Sequence, residues 1–350
     1  MTDSPVVVAL MFPAAWDNRP ATELAADIAR LESIDPRIRV IDERYVDPDE
    51  LRLRRGQDPT ADLRAEAPPL TEAQRSALAQ AEVILTQDLP FDVAELAPSL
   101  RWVQGIGAGV SQLHSAGLPD AAQLTTAAGV SSTAIAEFVF ARILQMVKRL
   151  PEIDALAEQQ SWRPTYGTQL SGRTLTVVGL GSIGRRVALL GRAFGMQVRG
   201  VRRSVPSEGL DPDVDRLFAT EDLGAAVSGA HGVVAALPES PQTRDVFDAE
   251  TFAAMAQGGI FVNVGRGSAV DEDALAGALT DGRLGGAALD VVKDEPLPSQ
   301  APLWAVPNLY LSPHSAAAPE EYWRSVFDLF ATNLERYLAG EQLVNRVTAP

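Results

Sequence analysis

A glycine-rich turn, Gly179-Leu180-Gly181-Ser182-Ile183-Gly184, follows a short apolar run and precedes a helical pattern. In this setting the first glycine permits a tight turn, the second lets a pyrophosphate approach the backbone, and the third lets helix and strand pack closely. The following helix would offer free N–H groups and a partial positive charge to the phosphates. The turn predicts a dinucleotide site, although a glycine turn without a ligand is the alternative. Its cofactor-binding residues would be Gly179, Gly181, Ser182, Ile183 and Gly184.

Two arginines and a serine stand at the end of the second strand of this series, predicted at 197–201. NAD-binding sites carry an acidic residue about 20 residues after the glycines, where it accepts hydrogen bonds from the adenosine ribose. Here Arg202 stands 18 residues after Gly184 and is followed by Arg203 and Ser204. Two guanidinium groups suit a 2′-phosphate, which a carboxylate would repel. The segment predicts NADP(H) in preference to NAD(H), with two solvated surface arginines as the alternative.

Three more polar side chains follow predicted strands later in the chain. Arg266 follows the strand at 260–264, Glu295 the strand at 286–289, and His314 the strand at 309–311. Open α/β sheets bind their ligands at the carboxyl ends of parallel strands. The three side chains are therefore candidates for a common ligand site.

The chain closely resembles the D-isomer-specific 2-hydroxyacid dehydrogenases in five motifs, which occur in the family's order and with similar spacing. The motifs are GLGSIG (179–184), LPESPQTR (237–244), NVGRG (263–267), LDVVKDEP (289–296) and SPH (312–314). The resemblance covers most of the chain from about Arg101 onward. It implies hydride transfer between a nicotinamide dinucleotide and a small 2-oxo acid or D-2-hydroxy acid. Arg202 and Arg203 resemble the reductase branch of the family, which favours NADPH.

The resemblance assigns a role to each of the three strand-end side chains. His314 matches the general acid that protonates the new hydroxyl group and acts as the base in the oxidation direction. Glu295 matches the carboxylate that hydrogen-bonds the other imidazole nitrogen and orients the ring. Arg266 matches the cation that binds and polarises the substrate. The alternatives are a structural turn at His314, a surface acid at Glu295 and a solvated loop residue at Arg266.

Further contacts follow from the same resemblance. The substrate carboxylate would bind the backbone amides of Ala108 and Gly109, although Ser111-Gln112 replaces the family's usual Asp-Asn after this loop. Asp290 resembles the carboxylate that holds the nicotinamide carboxamide, with a strand-end cap as the alternative. The implied cofactor contacts beyond the glycine turn and residues 202–204 are Leu237, Pro238, Thr243, Val264, Gly265, Arg266, Asp290 and His314.

The composition excludes several other kinds of site. The 350-residue chain has no cysteine and only three histidines, so it has no disulfide framework, thiolate nucleophile, Cys-ligated metal or HExxH motif. His114 and His231 lie outside every motif above. A net charge of −16 argues against nucleic acid and anionic membranes as partners. Because neither a signal peptide nor a membrane-spanning run is evident, a cytoplasmic protein without a metal site is expected.

Short apolar strands alternate with helical patterns along nearly the whole chain, which is typical of βαβ units and parallel sheets. We therefore predict an α/β fold of two doubly wound parallel-sheet domains with a cleft between them. A Rossmann dinucleotide-binding domain, residues 125–312, would be inserted into a flavodoxin-like substrate-binding domain, residues 1–124 and 313–350.

Two other segments are interpreted from their patterns. Residues 131–150 predict one long helix with a wide apolar stripe, ended by Pro151, which suits either the core or a homodimer contact. Residues 43–70 carry many charges and five prolines or glycines, and have no counterpart in the family's pattern. They predict a surface insertion with one short helix at 48–55.

Two functions of other kinds remain open. One is a phosphonate-oxidising dehydrogenase on the same scaffold, which would act on phosphite and not on 2-oxo acids. The other is a non-catalytic nucleotide-sensing corepressor, which would bind NADPH without turnover. If the chain is a 2-oxo acid reductase, the candidate substrates are glyoxylate, hydroxypyruvate and phenyl- or alkyl-substituted pyruvates.

Overall fold

The computed structural model describes residues 4–17, 19–58, 60–205 and 211–347, and the chain divides into two compact units. The first unit comprises the chain up to Val130 and again from Pro319, and the second runs from Ser131 to Ala318. Among the described residues, no helix is long and apolar enough to cross a membrane.

Both unit boundaries lie six residues beyond the predicted boundaries at 124/125 and 312/313. The first predicted boundary falls inside a strand, Gln123–Thr125, that pairs with the first unit's sheet. The second falls before the backbone N–H groups of Ser315 and Ala316, which donate to Asp290 in the second unit. Both differences arise from hydrogen bonds between residues that are distant in sequence.

The first unit contains a five-stranded parallel sheet in the order β2-β1-β3-β4-β5, a doubly wound order of the flavodoxin type. Strand β1 is apolar and buried along its whole length, as expected for a strand that helices cover on both faces. The chain's C-terminal helix, Pro319–Ala339, packs on this core, with Phe330 stacked on Trp102 at 5.0 Å. In chain order the other elements are β1 (Val6–Leu10), α1 (Ala21–Ile34), β2 (Ile38–Asp42), α2 (Asp49–Gln57), α3 (Glu72–Gln80), β3 (Val83–Thr86), α4 (Val93–Leu96), β4 (Trp102–Gly105) and β5 (Gln123–Thr125).

The short helix predicted at 48–55 is present as α2, but residues 43–70 do not lie wholly on the surface as predicted. The segment contains α2, and the guanidinium group of Arg55 on that helix is completely buried against the buried Asp47 carboxylate. Tyr45 donates its hydroxyl to the same carboxylate at 2.7 Å, and Arg52 forms a two-pronged pair with the buried Asp88. Some charges of this segment, those of Asp47, Arg52 and Arg55, are therefore paired inside the unit and not solvated at its surface.

Replacing Arg55 with methionine is expected to lower the free energy of unfolding by about 3–5 kcal/mol, because the buried carboxylate of Asp47 would lose its cationic partner. Urea denaturation measures the change. The matched control is Arg54→Met, since Arg54 is 43% exposed and pairs with Glu66 at the surface. The control should cost less than about 1 kcal/mol. Equal losses for the two variants would show that the buried pair has no special importance.

The second unit contains a seven-stranded parallel sheet in the order β12-β11-β10-β9-β6-β7-β8. Its elements are α5 (Ser132–Val147), α6 (Leu150–Glu158), β6 (Thr174–Val178), α7 (Ser182–Ala193), β7 (Gln197–Arg202), β8 (Arg216–Ala219), α8 (Leu223–Val227), β9 (Gly232–Ala235), α9 (Ala249–Ala254), β10 (Gly259–Asn263), α10 (Glu272–Thr280), β11 (Leu284–Leu289) and β12 (Leu309–Leu311). The direction of winding reverses between β6 and β9, the switch point at which such sheets bind ligands. The predicted fold class, α/β with two parallel-sheet domains, is confirmed.

The single helix predicted at 131–150 is two helices in the structure. The first helix, α5, ends at Val147. Arg149 then adopts a left-handed backbone conformation with φ 56°, which separates α5 from α6. Pro151 lies in the first turn of α6, where its missing N–H group is not needed, and so it helps to start a helix instead of stopping one.

Candidate active site

The glycine turn after β6 has the shape that a dinucleotide requires. A Cβ atom on Gly184 would lie 1.9 Å from the carbonyl oxygen of Gly179, so only glycine allows α7 to pack this closely on β6. Gly179 itself has φ +102°, a conformation that side chains rarely adopt. By contrast, nothing lies within 4 Å of the Cβ position on Gly181. The exposed Gly181 and Ser182 therefore leave room for a pyrophosphate at the N-terminus of α7.

A cluster of charges surrounds the end of β7. The Arg202 side chain is 38% exposed, and Arg203 and Ser204 are exposed beside it. One guanidinium nitrogen of Arg202 lies 3.9 Å from the buried carboxylate of Asp211, which Arg185 binds with two hydrogen bonds of 3.1 Å. Burial, the largest single influence, opposes ionisation of Asp211. The hydrogen bonds from Arg185 and from the Asp213 N–H, together with the charges of Arg185 and Arg202, outweigh it and hold the pKa of that carboxyl below its ordinary value.

The loops after β9 and β10 lie side by side. A Cβ atom on Gly265 would lie 2.6 Å from the carbonyl oxygen of Leu237, so glycine is needed for this approach. The Thr243 hydroxyl donates to the carbonyl of Pro238 at 2.9 Å and accepts from the N–H of Ser240 at 3.0 Å. Thr243 therefore closes the loop that carries Leu237 and Pro238, and this loop lies against the turn that carries Arg266.

The turn after β10 leaves the Arg266 side chain exposed, and hydrogen bonds with the Asn263 side chain hold the backbone of this turn. Asn263 is buried; its side chain accepts from the N–H of Gly265 and donates to the carbonyl of Arg266, both at 3.0 Å. No carboxylate among the described residues lies within ion-pair distance of the Arg266 guanidinium group, which donates to the Gly265 carbonyl at 2.8 Å. Val264, which precedes this turn, is buried. The arrangement leaves an exposed cation without an acidic partner.

Backbone contacts connect the Arg266 turn to the Glu295–His314 pair. A Cβ atom on Gly267 would lie 2.0 Å from the carbonyl group of Val292. The N–H of Val292 donates to one carboxylate oxygen of Glu295 at 3.1 Å, and the other oxygen lies 3.0 Å from Nδ1 of His314. The His314 side chain is 56% exposed, and its Nε2 has no hydrogen-bond partner among the described residues. Glu295 thus holds Nδ1 of the imidazole, while Nε2 is left without a hydrogen bond from the described residues.

Asp290 supports the turn that carries His314. Its buried carboxylate accepts from the Ser312 hydroxyl at 2.7 Å and from the N–H groups of Ser315 and Ala316 at 2.9 and 3.1 Å. The N–H of His314 donates to the backbone carbonyl of Asp290 at 2.8 Å. The structure thus gives Asp290 the role of a turn cap, and its contact with the nicotinamide remains a prediction.

In the first unit, the predicted carboxylate-binding loop follows β4. Ala108 and Gly109 are exposed, and nothing lies within 4 Å of the Cβ position on Gly109. The Tyr322 hydroxyl, from the C-terminal helix, donates to the carbonyl of Ile106 and so fixes the start of the loop. Burial raises the pKa of Tyr322 to about 12, so this hydroxyl stays a donor at neutral pH.

The family model described as "D-isomer specific 2-hydroxyacid dehydrogenase, NAD binding domain" matches residues 140–316 of the chain. The chain belongs to the D-isomer specific 2-hydroxyacid dehydrogenase family. The family predicted from the five motifs is confirmed, as is the enzyme class, an oxidoreductase acting on CH–OH groups.

Two curated relatives illustrate the range of this dehydrogenase family. A glyoxylate reductase from Aeropyrum pernix is 33% identical over 298 residues, which cover 80% of this chain and 87% of the relative. A D-3-phosphoglycerate dehydrogenase from Methanocaldococcus jannaschii is 31% identical over 262 residues, 74% of this chain and 49% of the relative. The match thus spans about half the length of the second relative.

Two solved dehydrogenase structures are similar over nearly the whole chain. A D-isomer specific 2-hydroxyacid dehydrogenase from Xanthobacter autotrophicus, in complex with NADPH and MES, has a TM-score of 0.73 and 26% identity, covering 99% of this chain and 98% of that one. An NADPH-dependent glyoxylate/hydroxypyruvate reductase from Sinorhizobium meliloti, in complex with NADP and sulfate, has a TM-score of 0.70, 28% identity and the same coverage.

Sequence reasoning missed two features of this dehydrogenase. One is the Arg185–Asp211 pair, whose only sequence signal is the run of alternating aspartates at 211, 213 and 215. The other is a cavity of about 540 Å³ beside His314, a volume within the range of small-molecule sites. Its lining is mainly apolar and comprises Asp290, Val292, Glu295, Pro296, Leu297, Trp304, Leu311, Ser312, Pro313 and His314.

Proposed function

We propose that this dehydrogenase reduces a small 2-oxo acid to the D-2-hydroxy acid with NADPH, and catalyses the reverse reaction when the concentrations favour it. The observation that carries the proposal is the Glu295–His314 pair at 3.0 Å, connected through the Val292 peptide to the exposed Arg266. A proton donor and a cation are what a carbonyl group needs when it becomes a hydroxyl group.

When bound, the reduced nicotinamide supplies the hydride that attacks the carbonyl carbon. His314 donates the proton on Nε2 to the carbonyl oxygen, while Glu295 holds Nδ1 and fixes the direction of the ring. Arg266 binds the substrate anion and stabilises the charge that develops on the oxygen. The N–H groups of Ala108 and Gly109 bind the substrate carboxylate. In the oxidation direction His314 accepts the proton.

The proposed cofactor site follows the carboxyl edge of the second sheet. The glycine turn from Gly179 to Gly184 binds the pyrophosphate, while Arg202, Arg203 and Ser204 bind the 2′-phosphate. Leu237 and Pro238 flank the adenosine. Contacts with the nicotinamide half would come from Val264, Gly265 and Asp290, and further cofactor contacts from Thr243, Arg266 and His314. The structures from Xanthobacter autotrophicus and Sinorhizobium meliloti contain NADPH and NADP, which supports the proposed preference of this chain for NADPH over NADH.

Replacing Arg202 with aspartate is expected to invert the cofactor preference, because the new carboxylate repels a 2′-phosphate and accepts from a 2′-hydroxyl. The ratio of kcat/KM for NADPH to that for NADH should fall by about 100-fold or more. Arg216→Asp is a matched control, since Arg216 begins the neighbouring strand β8 and is exposed. An unchanged ratio in the Arg202 variant would contradict the assignment.

The function is tested with a panel of glyoxylate, hydroxypyruvate, pyruvate and phenylpyruvate, each with NADPH and with NADH. We expect oxidation of NADPH with glyoxylate or hydroxypyruvate, because several relatives of this chain are named reductases of those acids. Phosphite oxidation with no activity on the panel would favour the phosphonate-type alternative. Tight NADPH binding without turnover would favour the corepressor-like one.

We infer that the enzyme acts in the cytoplasm as a homodimer. Four large apolar side chains of the second unit, on α6 and in the segment that follows it, are exposed. They are Leu150, Ile153, Trp162 and Tyr166. Exposed apolar side chains of this size favour an interface between copies of the chain. Light scattering of the purified protein gives its mass, and a monomer would contradict the inference.

A further inference from the structure

We propose that Arg185 determines the affinity for NADPH without contacting it, by holding the Asp211 carboxylate away from Arg202. This inference deepens the proposed function and rests on its assignment of Arg202 to the 2′-phosphate. Arg185 is then a positioning residue for the cofactor site.

The Asp211 carboxylate is the only acidic group that an ion-pair contact connects to Arg202 among the described residues. Asp211 is nearly buried, with 6% of its side chain exposed, so its charge requires a partner. Arg185 provides that partner with a fork of two hydrogen bonds, each 3.1 Å long, one to each carboxylate oxygen. The N–H of Asp213 also donates to one of these oxygens at 3.1 Å. The Arg185 guanidinium group also pairs with the carboxylate of Asp213, whose side chain is 34% exposed.

These contacts leave the N–H groups of Arg202 available to bind a phosphate. The nearest nitrogen of Arg202 is 3.9 Å from Asp211, beyond hydrogen-bond distance, and the side chain is more than one-third exposed. The N–H groups of Arg202 can therefore point to a phosphate. Without Arg185, Arg202 would be the one cation among the described residues within ion-pair distance of the carboxylate, and its long side chain could close the gap. The carboxylate and the 2′-phosphate would then compete for the same donors.

The turn that carries Asp211 has a second attachment to α7. Arg192, also on α7, donates to the backbone carbonyl of Pro212 at 2.6 Å. Replacing Arg185 therefore removes the charge partner of Asp211 while Arg192 still holds the turn. This separation makes the electrostatic effect measurable on its own.

The test measures Kd for NADPH and for NADH by nucleotide fluorescence, which does not depend on turnover. In the Arg185→Met variant we expect Kd for NADPH to rise by about tenfold or more, because a close charge pair now competes with the phosphate. Kd for NADH should stay unchanged, since NADH has no 2′-phosphate. The matched control is Arg186→Met, the next residue on α7, which is exposed. It removes the same charge and should leave both constants unchanged.

The Asp211→Asn variants complete the test. In the double variant Arg185→Met/Asp211→Asn the Asp211 charge is absent. Asp213 also loses its partner Arg185, but among the described residues it has no ion-pair contact with Arg202, so Kd for NADPH should return to the wild-type value. Asp211→Asn alone should bind NADPH as tightly as the wild type or more tightly. A selective loss of NADPH affinity in this single variant would overturn the proposal, and it would do so even if the Arg185 variant did not fold.

Two other results would overturn the proposal. Equal weakening of NADPH and NADH by Arg185→Met would mean that Arg185 binds the pyrophosphate that both share. Unchanged binding of NADPH would mean that Asp211 does not compete. If the wild type bound the two dinucleotides equally, the proposed cofactor preference would fail. The change in Kd for NADPH between wild type and Arg185→Met would still decide the role of Arg185.

Discussion

The His314→Gln variant is expected to lose about 10²–10⁴-fold in kcat for reduction of the preferred 2-oxo acid. Glutamine keeps a polar side chain at the turn but has no proton to give at neutral pH. The Asp290 contacts that hold this turn involve backbone groups and Ser312, so they remain. Kd for NADPH should therefore stay close to the wild-type value while kcat falls.

His114→Gln is the control for this variant, because His114 is exposed and lies in the first unit, outside every motif. Steady-state kinetics and nucleotide fluorescence on the same preparations separate chemistry from binding. Full turnover by the His314 variant would remove it from the mechanism. An equal loss in both variants would indicate a general effect of replacing histidine.

The Arg266→Met variant is expected to lower kcat by about 10²–10³-fold, the cost of removing one donor that stabilises a developing oxyanion. It should also raise KM for the 2-oxo acid, since Arg266 is proposed to bind the substrate in the ground state as well. Methionine retains a flexible apolar stem, and the backbone of the turn is held by Asn263, so the fold should survive.

Arg266→Lys should recover only part of the loss, because a point charge cannot reproduce the planar fork of the guanidinium group. Arg324→Met, on the exposed face of the C-terminal helix, removes the same charge far along the sequence and serves as the control. If KM and kcat of the Arg266 variant matched those of the control, Arg266 would have no role in the reaction.

Local patterns were sufficient to predict most strands and the glycine turn, because each of these depends on a few neighbouring residues. The edge strand β8 was missed, since Arg216 to Ala219 is short and only partly apolar. The break between α5 and α6 was also missed. It depends on the left-handed backbone of Arg149, a residue type with no special preference for that conformation.

Ion pairs between residues that are distant in the chain could not be predicted from local sequence patterns. The pairs Asp47–Arg55 and Arg52–Asp88 turn a charged segment into part of the first unit's interior, and composition alone cannot distinguish paired from solvated charges. The Arg185–Asp211 pair connects residues 26 positions apart and was missed for the same reason. The contact between Glu295 and His314 was predicted only through the family resemblance, and the structure places the two groups 3.0 Å apart.

The close approach of Gly267 to Val292 has a consequence for altering the enzyme's selectivity. Because main-chain atoms set this contact, the spacing from Arg266 to Glu295 and His314 does not depend on any side chain that a new substrate would require to change. Under the proposed function, mutant libraries aimed at other 2-oxo acids would vary first-unit residues around Ala108 and Gly109 and leave the Arg266 turn unchanged. Every variant in such a library would then keep the second unit unchanged, and with it the proposed proton donor and cation.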